Sequence, residues 1–145
     1  MTDELQEFAG QEPAWKSLAL MIARLIFAAV FAMAVTFKVI DINGTATFIA
    51  AAGFPISMVL AILAAILEVV LVIAFLTGAF FREACLVAAA YVLFLGFAFH
   101  GPSHWAGNQS EFGFFIDHWT FFAGLLVTAA HGPGRWLAWR VGLLK

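Results

Sequence analysis

Apolar residues run almost unbroken through Ser17–Phe37, Ile56–Thr77, Ala84–Phe99 and Phe114–Ala130, and polar residues gather in the stretches between. The bilayer core is about 30 Å thick, and a helix needs roughly 17 to 25 residues to cross it. Three of the stretches reach or approach that length. The third extends through Phe80–Phe81 or His100 if it is to cross, with Arg82 and Glu83 marking a tight turn before it. The runs are continuous and do not alternate, so they read as helices and not as strands of a barrel, and a helix satisfies its own backbone in lipid. The pattern predicts an all-α membrane protein of one domain over residues 1–145. It is a four-transmembrane-helix bundle with spans at about 17–37, 56–77, 84–100 and 114–130, a short interfacial segment in the first loop and an interfacial C-terminal tail.

Composition closes off the alternatives. With 64% hydrophobic and 11% charged residues, the chain lies outside the balance of a water-soluble domain. No basic patch points to nucleic acid. Cys85 is the one cysteine, which excludes dithiol chemistry within the chain and reads most simply as a small buried apolar residue.

The first segment, 1–16, is acidic through Asp3, Glu4, Glu7 and Glu12, where a cleavable signal would carry positive charge, so span one is expected to stay as an anchor. Lys16, Arg82, Arg135, Arg140 and Lys145 fall with the termini and the middle turn, against Lys38 on the opposite side. The positive-inside rule then puts both termini in the cytoplasm. In the first loop Asn43-Gly44 favours a turn, Thr45–Ala52 reads as a helical turn or two at the interface, and Pro55 suits the first turn of span two. After Gly132-Pro133-Gly134, the tail 135–145 carries Trp136 and Trp139 beside Arg135 and Arg140. It reads as an amphipathic segment on the cytoplasmic headgroups.

Charges placed in hydrocarbon are the candidates for function. Arg24 and Glu68 come out at about 10 and 14 Å from the cytoplasmic end of their spans. A charge at a helix centre costs about 2.5 to 3.5 kcal/mol, which favours pairing the two or keeping Glu68 protonated. Such a pair fixes helix packing or takes part in proton or quinone chemistry. A second cluster lies at the opposite face, where Lys38, Asp41, His100, His104, Asp117 and His118 converge on one mouth of the bundle. Three readings stay open there. The groups are interfacial and bonded among loops, or they bind the head group of a quinone or similar amphiphile through donors such as Lys38 and His100. In the third, His100, His104, Asp117 and His118 hold a metal, although Gly101 and Pro102 interrupt the helix that His100 and His104 would share. Haem between His100 and His118 is a further form of that last option. Trp119 stands with Phe112, Phe114, Phe115, Phe121 and Phe122 at the opening of span four, where an aromatic belt accounts for most of them.

Ala23-Arg24-Leu25-Ile26-Phe27-Ala28-Ala29-Val30-Phe31, Phe37-Lys38, Phe48, Ala52-Gly53-Phe54-Pro55, Leu67-Glu68-Val69-Val70 and Leu76-Thr77-Gly78, with Arg82 in the turn, resemble the pattern of DoxX-family membrane proteins over about residues 18 to 130. The resemblance implies a four-helix bundle in the prokaryotic cytoplasmic membrane, in a family linked to quinol oxidase, thiosulfate:quinone oxidoreduction and other membrane oxidoreductase complexes. Arg24, Lys38 and Glu68 fall on its charged positions, and His100 on a polar position after the third span. The expectation is therefore an integral membrane subunit of a quinone-linked oxidoreductase complex. Glu68 and Arg24 would serve its chemistry, and Lys38, His100, His118 and Trp119 would bind quinone. Its partners would be the bilayer, other membrane or peripheral redox subunits and a second copy of itself. The alternative is a non-redox anchor for a membrane assembly, or a carrier of a small lipophilic compound.

Overall fold

A computed structural model describes residues 13–144; the acidic segment up to Glu12, and Lys145, lie outside the described residues. The chain forms helices α1 (Ala14–Ile40), α2 (Ile42–Ala51), α3 (Ser57–Thr77), α4 (Phe81–His100) and α5 (Gln109–His131), with a 3-10 turn at Pro102–His104. Helices α1, α3, α4 and α5 are long and apolar enough to cross a membrane. Their outward faces carry exposed apolar side chains such as Leu25, Ile26, Leu63, Ile66, Val70 and Ile73. Water would penalise that surface and lipid does not.

Each boundary has a local cause. Asp41 ends α1, its N–H donating to Phe37 O, and its Oδ1 accepts from Gly44 N at 2.8 Å to cap α2. This cap pulls Asn43-Gly44 into the first turn of a ten-residue helix, where the sequence suggested a separate turn followed by a shorter helical piece. A Cβ at Gly44 would fall 2.1 Å from Asp41 Oδ2, so the cap depends on glycine there. Ile56 adopts φ 51°, so the chain reverses at that residue and α3 starts at Ser57, leaving Pro55 outside the helix it was expected to open. Gly78 at φ 73° closes α3 with its N–H on Ala74 O. The following turn is tight enough that α4 begins at Phe81, which brings Arg82 and Glu83 into its first turn. Helix α5 starts five residues before the apolar run does, and so includes Glu111.

Packing pairs α1 with α3 and α4 with α5, while α2 lies on α3 through Ala46, Ile49 and Ala61. Ala84 and Ala88, with Cys85 and Ala89, give α4 a small-residue face on which α5 seats Leu125 and Ala129. Small residues let helix backbones approach in lipid, where apolar attraction between helices is weak. Phe27, Phe31, Phe75, Phe81 and Phe121 fill the centre, with neighbouring ring centroids 5.2 to 5.9 Å apart.

Arg24 is fully buried at one end of this core, and its partner is not Glu68. Its guanidinium donates to five carbonyl oxygens: Phe75 and Leu76 at the end of α3, and Pro133, Trp136 and Leu137 in the tail, at 2.8 to 3.2 Å. The last carbonyls of a helix have no partner within it, and a cation there also meets the negative end of the helix dipole. Arg82 serves α5 in the same way, Nη1 donating to Ala129 O and Ala130 O at 2.7 Å. The tail takes no helix. It crosses the ends of α3 and α4, with Trp139 N–H on Thr77 O, Phe80 N–H on Val141 O, and Glu83 accepting from Leu143 and Leu144. Replacing Arg24 by Lys leaves three donors for five acceptors. Arg24→Lys is expected to lower stability by about 3 kcal/mol and to speed proteolysis within 133–144, read by thermal unfolding and by timed digestion in detergent.

Candidate functional site

The opposite end of the bundle is hollow. The end of α1, all of α2, the first half of α3, the second half of α4 and His118 of α5 enclose a cavity of about 810 Å³. That is within the range of small-molecule sites. The cavity exists because α2 lies across the top of α3 instead of filling the gap between α1 and α4. Its walls are Phe37, Phe48, Phe54, Phe94, Phe99, Leu60, Leu63 and Leu67. Phe48 and Phe99 are stacked at 5.0 Å, and Phe54 packs edge-on to Phe94. Lys38, Asp41, Tyr91, His100 and His118 add polar groups to this apolar lining.

At the inner end, Lys38 Nζ meets Glu68 Oε1 at 2.9 Å, and Tyr91 donates to the same oxygen at 2.9 Å. Glu68 is 1% exposed, whereas the Lys38 side chain keeps 21% of its surface accessible. The ammonium therefore stands between the cavity and the carboxylate. Two donors on Oε1 offset much of the cost of a charge taken out of water, since hydrogen bonds to charged groups are the strong ones. Glu68 Oε2 is buried with no protein partner among the described residues. Buried polar atoms in that condition are uncommon and mark a place where a further donor would be welcome.

Toward the mouth, His100 Nδ1 bonds Glu111 Oε2 at 2.7 Å, and the His100 carbonyl accepts from Trp105 Nε1 at 2.8 Å. His118 Nδ1 donates to Phe114 O at 2.7 Å, which leaves its Nε2 as the nitrogen available to another group. The two imidazoles lie with centroids 5.1 Å apart. Gly96 makes this approach feasible, because a Cβ there would sit 2.9 Å from His118 Cβ.

The structure thus brings Lys38, His100 and His118 to one cavity and joins Glu68 to it through Lys38. Arg24 belongs to the other end. Trp119 is half-exposed on α5, edge-on to Phe97 and Phe122, and does not line the cavity. Asp117 and His104 are exposed, His104 Nδ1 lying 3.2 Å from Ser103 Oγ. No group of three or more metal-ligating side chains occurs among the described residues. The sequence reading passed over Tyr91 and Glu111. Tyr91 is the one tyrosine of the chain, ten residues into α4 as Glu68 is nine from the end of antiparallel α3, and that equality of depth was its available signal.

The ion pair can be tested by a double-mutant cycle. Lys38→Met alone strands the Glu68 carboxylate, and Glu68→Gln alone strands the ammonium. Each is expected to lower stability by about 2 kcal/mol, and the double variant to recover part of the loss. Strictly additive losses in thermal unfolding would show that the two groups do not couple.

The family model of DoxX proteins matches residues 19–101, more than half of the chain. No curated protein and no solved structure matches it.

Proposed function

The chain belongs to the DoxX family, and on that footing we propose that it is an integral subunit of a membrane redox complex that binds a quinone head group in the aromatic cavity. One observation carries the reading. An apolar, phenylalanine-walled chamber of about 810 Å³ contains the Lys38 ammonium at its inner end and the paired imidazoles of His100 and His118 nearer its mouth. A flat ring with oxygens at two opposite edges asks for apolar faces with polar groups set apart at the rim, here a donor in Lys38 and an acceptor in His118 Nε2.

Lys38 would donate to one carbonyl while remaining bonded to Glu68, and once the ring is reduced the lone pair of His118 Nε2 would accept from the quinol hydroxyl at the other edge. Phe48 and Phe99, already stacked on each other, would continue as a wall for the ring. A bound quinone supplies two-electron chemistry, becoming quinol on uptake of two electrons and two protons. Lys38 and Tyr91 hold protons at atoms adjoining the Glu68 carboxylate, so a proton leaving either has an acceptor against it. Cys85 is buried against Thr128 far from these groups, and with one thiol in the chain the electrons would have to come from a partner subunit with its own redox centre. The setting proposed is the prokaryotic cytoplasmic membrane with both termini inside, by the distribution of Lys and Arg.

The test is to extract the full-length protein gently from its own membrane and identify retained small molecules by native mass spectrometry. Quinone is expected with the unaltered chain and about tenfold less with Lys38→Gln, the loss of one charged hydrogen bond. Phospholipid alone in both samples would sink the quinone reading and favour the anchor or lipophile-carrier role.

A further inference from the structure

A second cavity, of about 440 Å³, opens at the other end of the bundle, where α4 starts, α5 ends and the tail crosses them. We infer that it is a binding site for the phosphate of an anionic headgroup, set by Arg82 of α4 and Arg140 of the tail, with His131 of α5 beside them. These three come from three separate elements and line one cavity. Nothing in the quinone reading uses them.

Arg82 supplies the geometry. Both of its bonds, to Ala129 O and Ala130 O, use Nη1. Among the described residues no acceptor meets Nε or Nη2, and that edge of a guanidinium matches two oxygens of a phosphate. Gly132, at φ +82°, lies against the face of the guanidinium: a Cβ there would be 3.1 Å from Nη2, 3.3 Å from Cζ and 3.5 Å from Nε, so the bare glycine gives the group its room. The edge is held in place, because the two carbonyl bonds fix the plane of the guanidinium.

His131 Nδ1 donates to Val127 O, which turns Nε2 outward. Arg140 is exposed and makes no side-chain hydrogen bond among the described residues, so its charge is free to close on an anion. Glu83 also lines the cavity and opposes one of the positive charges. Its Oε1, however, accepts from the N–H groups of Leu143 and Leu144, which commits that side of the carboxylate to the tail. Two arginines against one carboxylate leave the cavity net positive, although Glu83 Oε2 is buried there without a hydrogen-bond partner among the described residues. Phe81, Val141 and Leu144 add apolar lining beside the charges, as the start of an acyl chain would need. Basic pockets between helix ends at the membrane surface take headgroups in this manner.

The experiment uses delipidated full-length protein in detergent, offered phosphatidylglycerol or phosphatidylcholine, with retained lipid counted by native mass spectrometry. Phosphatidylglycerol is expected to be retained preferentially. Arg140→Gln should cut that preference by about fivefold, with thermal unfolding unchanged because the Arg140 side chain makes no hydrogen bond among the described residues. Arg82→Lys should also cut it, since an ammonium cannot present two parallel donors. Inorganic phosphate is the competing arm. Displacement of the lipid by millimolar phosphate assigns the site to the phosphate group itself, open to a soluble source. Retention against phosphate assigns it to the lipid. Equal retention of the two lipids, or a preference that survives both Arg140→Gln and Arg82→Lys, overturns the proposal.

Discussion

Everything at one end of this bundle depends on a single guanidinium shared among five carbonyls. Arg24 lies in the first helix, yet its acceptors are the end of the third and the residues after the fifth. In hydrocarbon those carbonyls have no water to turn to, and the arginine has none either, so each side is held by the other's need. Arg82 repeats the arrangement for α5. Arg24 thus ties a tail without regular structure to the end of α3, while Arg82 closes the end of α5.

The opposite end is built on a different balance. Lys38 and Glu68 offset each other's charge with help from Tyr91, and the helices around them do not fill the space above. Core packing is dense around Phe27, Phe75 and Leu125, whereas α2 bridges an open volume. One end of the molecule is therefore tied shut by backbone acceptors and the other is held open by aromatic rings. That division of labour puts a ligand-sized volume next to the buried ion pair.

The four spans were legible because membrane helices announce themselves by length and apolarity, and the DoxX resemblance rested on residues in the right order. Pairing was less so. Depth counted along the backbone put Arg24 beside Glu68, but side chains on a helix point back toward its N-terminus. Arg24 and Lys38 of α1 accordingly reach the same way. Arg24 leans away from Glu68 toward the end of α3, and Lys38, whose Nζ lies 3.5 Å from Ala34 O one turn earlier, leans down onto Glu68. The cavity itself was not readable, since it arises from how α2 lies on α3. Neither was the path of the tail, whose Trp and Arg residues read as an amphipathic segment on the headgroups while its carbonyls bond Arg24.

The sequence separation of the Arg24 contacts says something about how the chain is made. Leu137 is 113 residues beyond Arg24. At ordinary rates of synthesis the first helix waits on the order of ten seconds before its last acceptors exist. Until then a buried cation in the first span has an incomplete shell and either stays near the headgroups or shares them with the insertion machinery. The first helix thus depends for its full set of acceptors on residues made more than a hundred positions after it.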